Sequence, residues 1–270
     1  MNRLIVAAIR CSLTFILPTI AYAISAQWHL DPISGDWNTA ANWTPMGIPN
    51  GPADIATFGL SHTTDVSISA DTEVNSIIFT PAATNPYTIT ASAGLTLTIS
   101  GAGITNNSGT IQKFVTGVDG TGNRGQIVFR NSATAGTSIF TNNGSVANFV
   151  QGGETAFFNT STAANGTFVN KGGTGSSSGG GITVFYDSST AGNANFTNKG
   201  GTGTSTSATI FHNTSTAANG FFTNDGGSTT GGTFAEGGQT IFFAISTAAN
   251  GTFVNKGATV SGGIRWCNGL

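Results

Sequence analysis

The chain has 270 residues and a formal net charge of -2, and only 7% of its residues are Asp, Glu, Lys or Arg. It contains 39 glycines and 19 phenylalanines, so glycine is about twice as common as in an average protein. The shortage of basic residues argues against electrostatic binding of nucleic acid. The many phenylalanines argue against a disordered chain, because disordered segments lack the apolar surface needed for a core.

Residues 1–23 have the pattern of a secretory signal peptide. Arg3 and Arg10 supply positive charge, residues 11–20 are mostly apolar, and residues 21–23 (Ala-Tyr-Ala) form a small-x-small cleavage sequence. The apolar run is shorter than the ~20 residues of a membrane-spanning helix, and Pro18 interrupts it near its end. We therefore expect residues 1–23 to be removed, leaving a secreted or cell-surface protein that begins at Ile24 and has no integral membrane segment.

Residues 24–101 differ in composition from the rest of the chain. They contain three tryptophans, at positions 28, 37 and 43, and every proline that follows the leader. Alternating apolar and polar residues over 65–69 and 95–99 predict β-strands. We interpret the region as an N-terminal β cap, because the end of a repeat array exposes sheet edges that must be covered.

Residues 102–270 are built on a repeat whose clearest copy is STAANGTFVNKGG, beginning at Ser161. Each copy has two phenylalanines eleven residues apart, and an asparagine follows the second phenylalanine by two residues. The spacing between copies is not constant, and the differences in length fall only in loops rich in glycine, serine and threonine. The three columns are Phe129, Phe157, Phe185, Phe211 and Phe242; Phe140, Phe168, Phe196, Phe222 and Phe253; and Asn142, Asn170, Asn198, Asn224 and Asn255.

A period of about 28 residues predicts a solenoid, because one unit is too small to bury its own apolar face without a neighbour. Parallel stacking of the coils in register would place equivalent residues about 4.8 Å apart. We therefore predict an all-β protein, a parallel β-solenoid of about five coils with interior phenylalanine ladders. The asparagines are predicted to form a ladder at a corner, because asparagine tolerates left-handed backbone and bonds to local backbone groups.

The repeat and the residues that precede it are similar to a known family. The preamble contributes Trp28, residues 35–37 (Gly-Asp-Trp), residues 41–43 (Ala-Asn-Trp), Pro49 and residues 54–58 (Asp-Ile-Ala-Thr-Phe). With the repeat, this pattern resembles the bacterial autotransporter-associated β-strand repeat proteins. The resemblance covers most of the mature chain and implies a right-handed parallel β-helix that is secreted or displayed at the outer membrane, as an autotransporter passenger is.

Passengers of that family are commonly followed by an outer-membrane β-barrel, and some relatives end in a short sorting anchor. This sequence ends at Leu270 without either pattern. Two interpretations of the resemblance therefore stay open. The chain is either a simply secreted protein or a truncated passenger with no independent function.

The sequence offers no clear site for a cofactor or a metal. Residues 120–125 spell G-x-G-x-x-G, but a strand pattern follows them instead of the helix that would hold a pyrophosphate. The glycine-rich turns lack the aspartates of calcium-binding repeats. His29, His62 and His212 lie far apart without partners at ligand spacing. We expect neither a cofactor nor a metal.

The main alternative to a structural protein is a carbohydrate-active β-helix enzyme, a polysaccharide lyase or hydrolase. Such hydrolases need two carboxylates that project close together. The acidic residues of the repeats stand at different repeat positions, namely Glu154, Asp187, Asp225 and Glu236. We therefore predict no catalytic residues and no enzymatic activity.

One column of basic residues is a candidate contact surface. Lys171, Lys199 and Lys256 share the repeat position that follows the asparagine column. A lysine stripe is able to contact acidic glycans, although charged residues at turns also keep sheet proteins soluble. We predict an exported structural or adhesive module that binds surface glycans, or host or matrix components, weakly.

Overall fold

A computed structural model describes residues 23–175, 177–202, 206–228 and 236–258. Within these ranges the protein is an all-β parallel solenoid of about eight turns. The described residues contain no α-helix, and their one helical segment is a short 3-10 helix at Ala40–Asn42. None of the described helical segments is long and apolar enough to cross a membrane. Almost all of the expected leader, and residues 259–270, lie outside the described ranges.

Two sheets run along the stack. The first contains β1 (Ala26–Trp28), β2 (Trp43–Thr44), β3 (Gly51–Phe58), β5 (Thr72–Phe79), β7 (Thr96–Asn106), β9 (Gln126–Phe129), β11 (Glu154–Phe157), β13 (Ile182–Phe185), β15 (Ala208–Phe211) and β17 (Gln239–Phe242). The second contains β4 (Asp65–Ile68), β6 (Thr88–Ala91), β8 (Lys113–Thr116), β10 (Ile139–Asn142), β12 (Thr167–Asn170), β14 (Asn195–Asn198), β16 (Phe221–Asn224) and β18 (Thr252–Asn255). Each coil of the stack adds one strand to each sheet.

The strands of successive coils pair in register. Phe157 pairs with Phe129 below it and with Phe185 above it, and Phe168 occupies the same place in the second sheet, between Phe140 and Phe196. A third side of the coil is reduced to single bridges between threonines, from Thr134 through Thr162, Thr190 and Thr216 to Thr247. Each repeat of the sequence is therefore a single coil, and the differences in repeat length lie in the loops between the sheets.

The two phenylalanine columns fill the interior. Rings of one column stack nearly parallel, with centroids 4.8 Å apart between Phe129 and Phe157 and 4.7 Å apart between Phe140 and Phe168. The columns meet edge to face, as between Phe157 and Phe168 at 5.7 Å. Because offset-stacked and edge-to-face pairs each contribute about 0.5–1.5 kcal/mol beyond area burial, every added coil strengthens the stack.

Neither the expected number of about five coils nor the expected N-terminal β cap over residues 24–101 is confirmed. The parallel ladders continue toward the N-terminus through β3 to β8, so the inward column that contains Phe140 extends through Phe114 and Ile89 to Val66. The coils of β3 to β6 were not recognised as repeats because aliphatic residues, Val66 and Ile89, stand where the later coils have phenylalanine. The expected boundary between residues 101 and 102 falls inside β7 (Thr96–Asn106).

A tryptophan cluster lies at the N-terminal end of the stack. Trp28, Trp37 and Trp43 are almost fully buried, and the ring of Trp43 lies 5.0 Å from each of the other two. All three rings contact Phe58 of β3. Strand β1 pairs in parallel with β3 on one side and antiparallel with β2 on the other, so the parallel order of the first sheet ends here.

Candidate functional site

The asparagine column lies in the interior rather than at a corner. Each of these residues ends a strand of the second sheet, and Asn142, Asn170 and Asn198 are fully buried. None of them has left-handed backbone. The physical reason is the two-residue period of a strand: Asn170 stands two residues after Phe168 and therefore faces inward with it.

The buried side-chain amides form a continuous hydrogen-bonded ladder. Each Nδ2 donates to the Oδ1 of the asparagine in the next coil, over 2.8 Å from Asn142 to Asn170, 2.8 Å from Asn170 to Asn198, 2.9 Å from Asn198 to Asn224 and 2.9 Å from Asn224 to Asn255. Inward threonines of the first sheet complete the network, as where Thr183 Oγ1 donates to Asn170 Oδ1 at 2.9 Å. Buried amides satisfied in this way hold neighbouring coils in one register.

Left-handed backbone occurs at two other positions of each coil. The first column is Asn131, Asn159, Asp187, Asn213 and Ala244, and the second is Gly136, Ala164, Gly192, Ala218 and Ala249. In the first column a side-chain oxygen accepts the backbone N–H of the coil before it, as Asp187 Oδ2 does from Asn159 at 2.8 Å. The left-handed corners of each coil therefore lie at these two columns and not at the asparagine column, where a corner was predicted.

The lysine side chains of the column lie on the surface and bond to residues at the same repeat position in neighbouring coils. Nζ of Lys171 donates to Asn143 Oδ1 at 2.9 Å, while Lys199 and Lys256 approach Asp225 at 3.6 and 3.1 Å. The column thus holds three ammonium groups and one carboxylate, and it keeps positive charge on a chain whose formal net charge is negative. A shallow depression between these coils is lined by Lys199, Asp225, Ser228 and Lys256.

The acidic residues considered as catalytic candidates have separate environments. Glu154 is buried and paired with Arg124 at 2.7 Å, whereas Asp187 is exposed at a corner and Asp225 lies in the lysine column. Burial raises the pKa of Glu236. No hydrogen bond or ion pair of the described residues joins two of these carboxylates.

The glycine-rich motif at 120–125 is closed by Asp119, the residue immediately before it. Asp119 Oδ1 accepts the backbone N–H groups of Thr121, Gly122 and Asn123. A hydrogen bond from the Asn123 side chain, together with these backbone bonds, holds the pKa of Asp119 well below its usual range. Strand β9 (Gln126–Phe129) follows. Backbone donors that would otherwise be available to a phosphate are therefore occupied.

A third aromatic column, here called the outer aromatic column, follows the last residues of the first-sheet strands and was missed by sequence reasoning. The ring of Phe158 stacks on Tyr186 at 4.7 Å, Tyr186 on His212 at 5.1 Å, and His212 on Phe243 at 4.9 Å, with Arg130 over the free face of Phe158. Burial, and to a smaller extent the charge of Glu154, raises the pKa of Tyr186. Because the rings stack on one another, they offer mainly edges to a ligand.

Two of the three histidines contact the same aspartate, because the backbone N–H of Asp31 donates to His29 Nδ1 at 3.3 Å. His62 Nδ1 lies 2.6 Å from the exposed carboxylate of Asp31, and His212 is part of the outer aromatic column. Within the described ranges no three His, Cys, Asp or Glu side chains are grouped so that they could hold a metal ion.

Comparisons with known proteins give no relative for this chain. No family model, no curated protein and no solved structure matches it.

Proposed function

We propose that this protein is an exported, non-catalytic structural or adhesive module whose lysine column contacts acidic glycans. In this proposal the coils are right-handed and of the autotransporter-associated type. The protein is secreted or held at the cell surface, and the tryptophan cluster closes the N-terminal end of the stack. The roles of the repeated residues support this proposal. The inward phenylalanine and asparagine side chains contact the equivalent side chains of neighbouring coils and so hold the stack together.

The observation that carries the proposal is the alignment of equivalent groups along the stack. Lys171 and Lys199 lie in adjacent coils at one repeat position, and Lys256 follows two coils later. Parallel strands repeat every 4.7–4.9 Å, roughly, so charges recur along a line instead of converging in a pocket. Such a line suits a polymer that also presents charges at intervals, as an acidic polysaccharide does, better than a small molecule.

We expect the purified protein to bind acidic polysaccharides weakly and to cleave none of them. Replacing Lys171, Lys199 and Lys256 with glutamine should lower the affinity about tenfold, because each exposed charge contributes only a few tenths of a kcal/mol up to about 1 kcal/mol. Lys113→Gln is the matched control, since Lys113 is an exposed lysine of β8 outside the column. Binding to acidic and neutral polysaccharides is measured by calorimetry at two salt concentrations.

The same polysaccharides are assayed for new reducing ends and for unsaturated products. Equal affinity of the triple variant and the wild type would remove the lysine column from the proposal. Turnover that disappears in Glu154→Gln or Asp187→Asn would replace the proposed passive module with an enzyme.

A further inference from the structure

A buried carboxylate lies beside the residue at which the mature chain is expected to begin. Asp54 of β3 is only 5% exposed. Its Oδ1 accepts the backbone N–H of Ile24 at 2.6 Å, and its Oδ2 accepts that of Asn50 at 2.9 Å. None of the ion pairs in the described part of the chain involves Asp54. A buried carboxylate without a cation is costly, because hydrogen bonds alone replace only part of its hydration.

Ile24 is held at this place by its side chain as well. A methyl group added at Gly47 would lie 3.2 Å from Ile24 Cγ2, so the isoleucine side chain packs directly over that glycine. Gly51 is similarly close to Asp54, since an added methyl group there would lie 3.2 Å from Oδ2. The nitrogen of Ile24 and the carboxylate are therefore brought together by packing on both sides.

The charge on the Ile24 nitrogen depends on whether the leader is still attached. In the full-length chain this nitrogen is a neutral amide. Hydrolysis of the peptide bond between Ala23 and Ile24 consumes one water, leaves a carboxylate on Ala23 and makes the Ile24 nitrogen an α-amine. Such amines have a pKa of about 7.7–8.0 and are largely protonated at neutral pH.

We propose that Asp54 is the receptor for the α-ammonium group that leader removal creates at Ile24. The contact that is an amide hydrogen bond before cleavage becomes an ion pair after it, so processing supplies the missing counter-ion. Because Asp54 lies on β3, next to β1 in the first sheet, the ion pair fastens the new N-terminus to the start of the stack. This inference rests on the export proposed above but not on glycan binding.

The test compares two chains and one substitution. One chain begins at Ile24, released from a fusion without an extra residue, and the other keeps Ala23 before it. Asp54→Asn is made in both, and Asp65→Asn, at an exposed position of β4, is the matched control. Urea unfolding measures the equilibrium constant for folding of each chain, and N-terminal sequencing identifies the first residue of exported material.

The wild-type chain that begins at Ile24 should have a folding equilibrium constant about tenfold or more above that of the chain with Ala23, because a positive charge on the donor adds Coulomb attraction to the hydrogen bond with the carboxylate. This comparison needs no substitution and stands even if Asp54→Asn fails to fold. Asp54→Asn should remove the difference between the two chains, whereas Asp65→Asn should leave it unchanged.

Three results would overturn the inference. They are equal stability of the two wild-type chains, an equal effect of Asp54→Asn in both, and exported material that begins at a residue other than Ile24. Failure of glycan binding would refute the proposed adhesive role but would not affect these measurements. The two proposals can therefore be refuted independently.

Discussion

Deleting residues 157–184, the length of one full coil, is expected to give a folded protein that is one coil shorter. The deletion joins Ala156 to Phe185, and Phe185 then takes the place of Phe157, its register partner in the wild type. All later columns keep their alignment, so Phe196 comes to lie over Phe140. In a stack that is stabilised by nearest-neighbour contacts, the loss is one coil and one interface, and the length falls by about 4.8 Å.

The matched control deletes only the first half of the same segment, residues 157–170. It joins Ala156 to Lys171 and places a lysine in the buried phenylalanine column. Burying an unpaired charge costs several kcal/mol, which is a large part of the roughly 5–15 kcal/mol that stabilises a typical protein. We expect this variant to lose most of its folded structure.

Far-ultraviolet circular dichroism and resistance to protease distinguish the two deletions. The full-coil deletion should keep the strand signal and the protease resistance of the wild type, and the half-coil deletion should lose both. Two variants that are equally folded, or equally unfolded, would mean that the segment 157–184 is not the unit of stacking.

Replacing Asn170 with alanine is expected to lower the free energy of unfolding by about 3 kcal/mol or more, because several buried polar groups would lose a partner. Asn170 Nδ2 donates to Asn198 and to the carbonyl of Ala208 at 2.8 and 2.9 Å. Its Oδ1 accepts from Asn142 and Thr183 at 2.8 and 2.9 Å. Alanine removes these bonds, and a longer one from Nδ2 to Thr209 Oγ1 at 3.4 Å, at a fully buried position.

Asn193→Ala is the matched control, because Asn193 belongs to an exposed asparagine ladder. Its side chain bonds to Asn165 at 3.3 Å and to Asn219 at 3.1 Å, where water replaces lost partners. We expect a change within about 0.5 kcal/mol, as for most surface substitutions. Urea unfolding measures both variants, and similar losses at the two positions would show that the buried ladder has no special part in stability.

The interior of the repeats could be predicted from the sequence because one residue type occupies each column. The fixed separation between Phe157 and Phe168 places one phenylalanine in each sheet, and the structure pairs both with their counterparts. The earlier coils use Val66 and Ile89 at equivalent inward positions, and β7 alone runs over eleven residues. Neither feature has a fixed spacing that could reveal a repeat.

The asparagine ladder illustrates a preference that was overridden by strand geometry. Asparagine favours turns. Asn170, however, stands two residues after Phe168 on the inward face of β12, where its amide hydrogen-bonds to the equivalent asparagines of the two neighbouring coils. The alternation of the strand could have indicated this. The outer aromatic column was harder to recognise, because Phe158, Tyr186 and His212 share a planar ring but not a residue type.

The surface contacts depend on neighbours that are far apart in sequence. The lysine column was visible as a repeat position, whereas the pairing of Lys199 and Lys256 with one aspartate required the stacking of three coils. Ile24 and Asp54 are 30 residues apart in segments without a shared repeat. Only the folded N-terminal end brings them together.

The parallel stack itself is tested most directly by one distance. Ser132 and Ile245 are exposed residues at the same repeat position, four coils apart, and backbone bonds link the coils between them at each step. Nitroxide labels on Ser132→Cys and Ile245→Cys, in a mature chain with Cys267→Ser, are measured by pulsed electron paramagnetic resonance. Four coil spacings predict a narrow distribution centred at about 19 Å, broadened by the label linkers. A broad distribution, or a mean far above this value, would contradict the in-register solenoid.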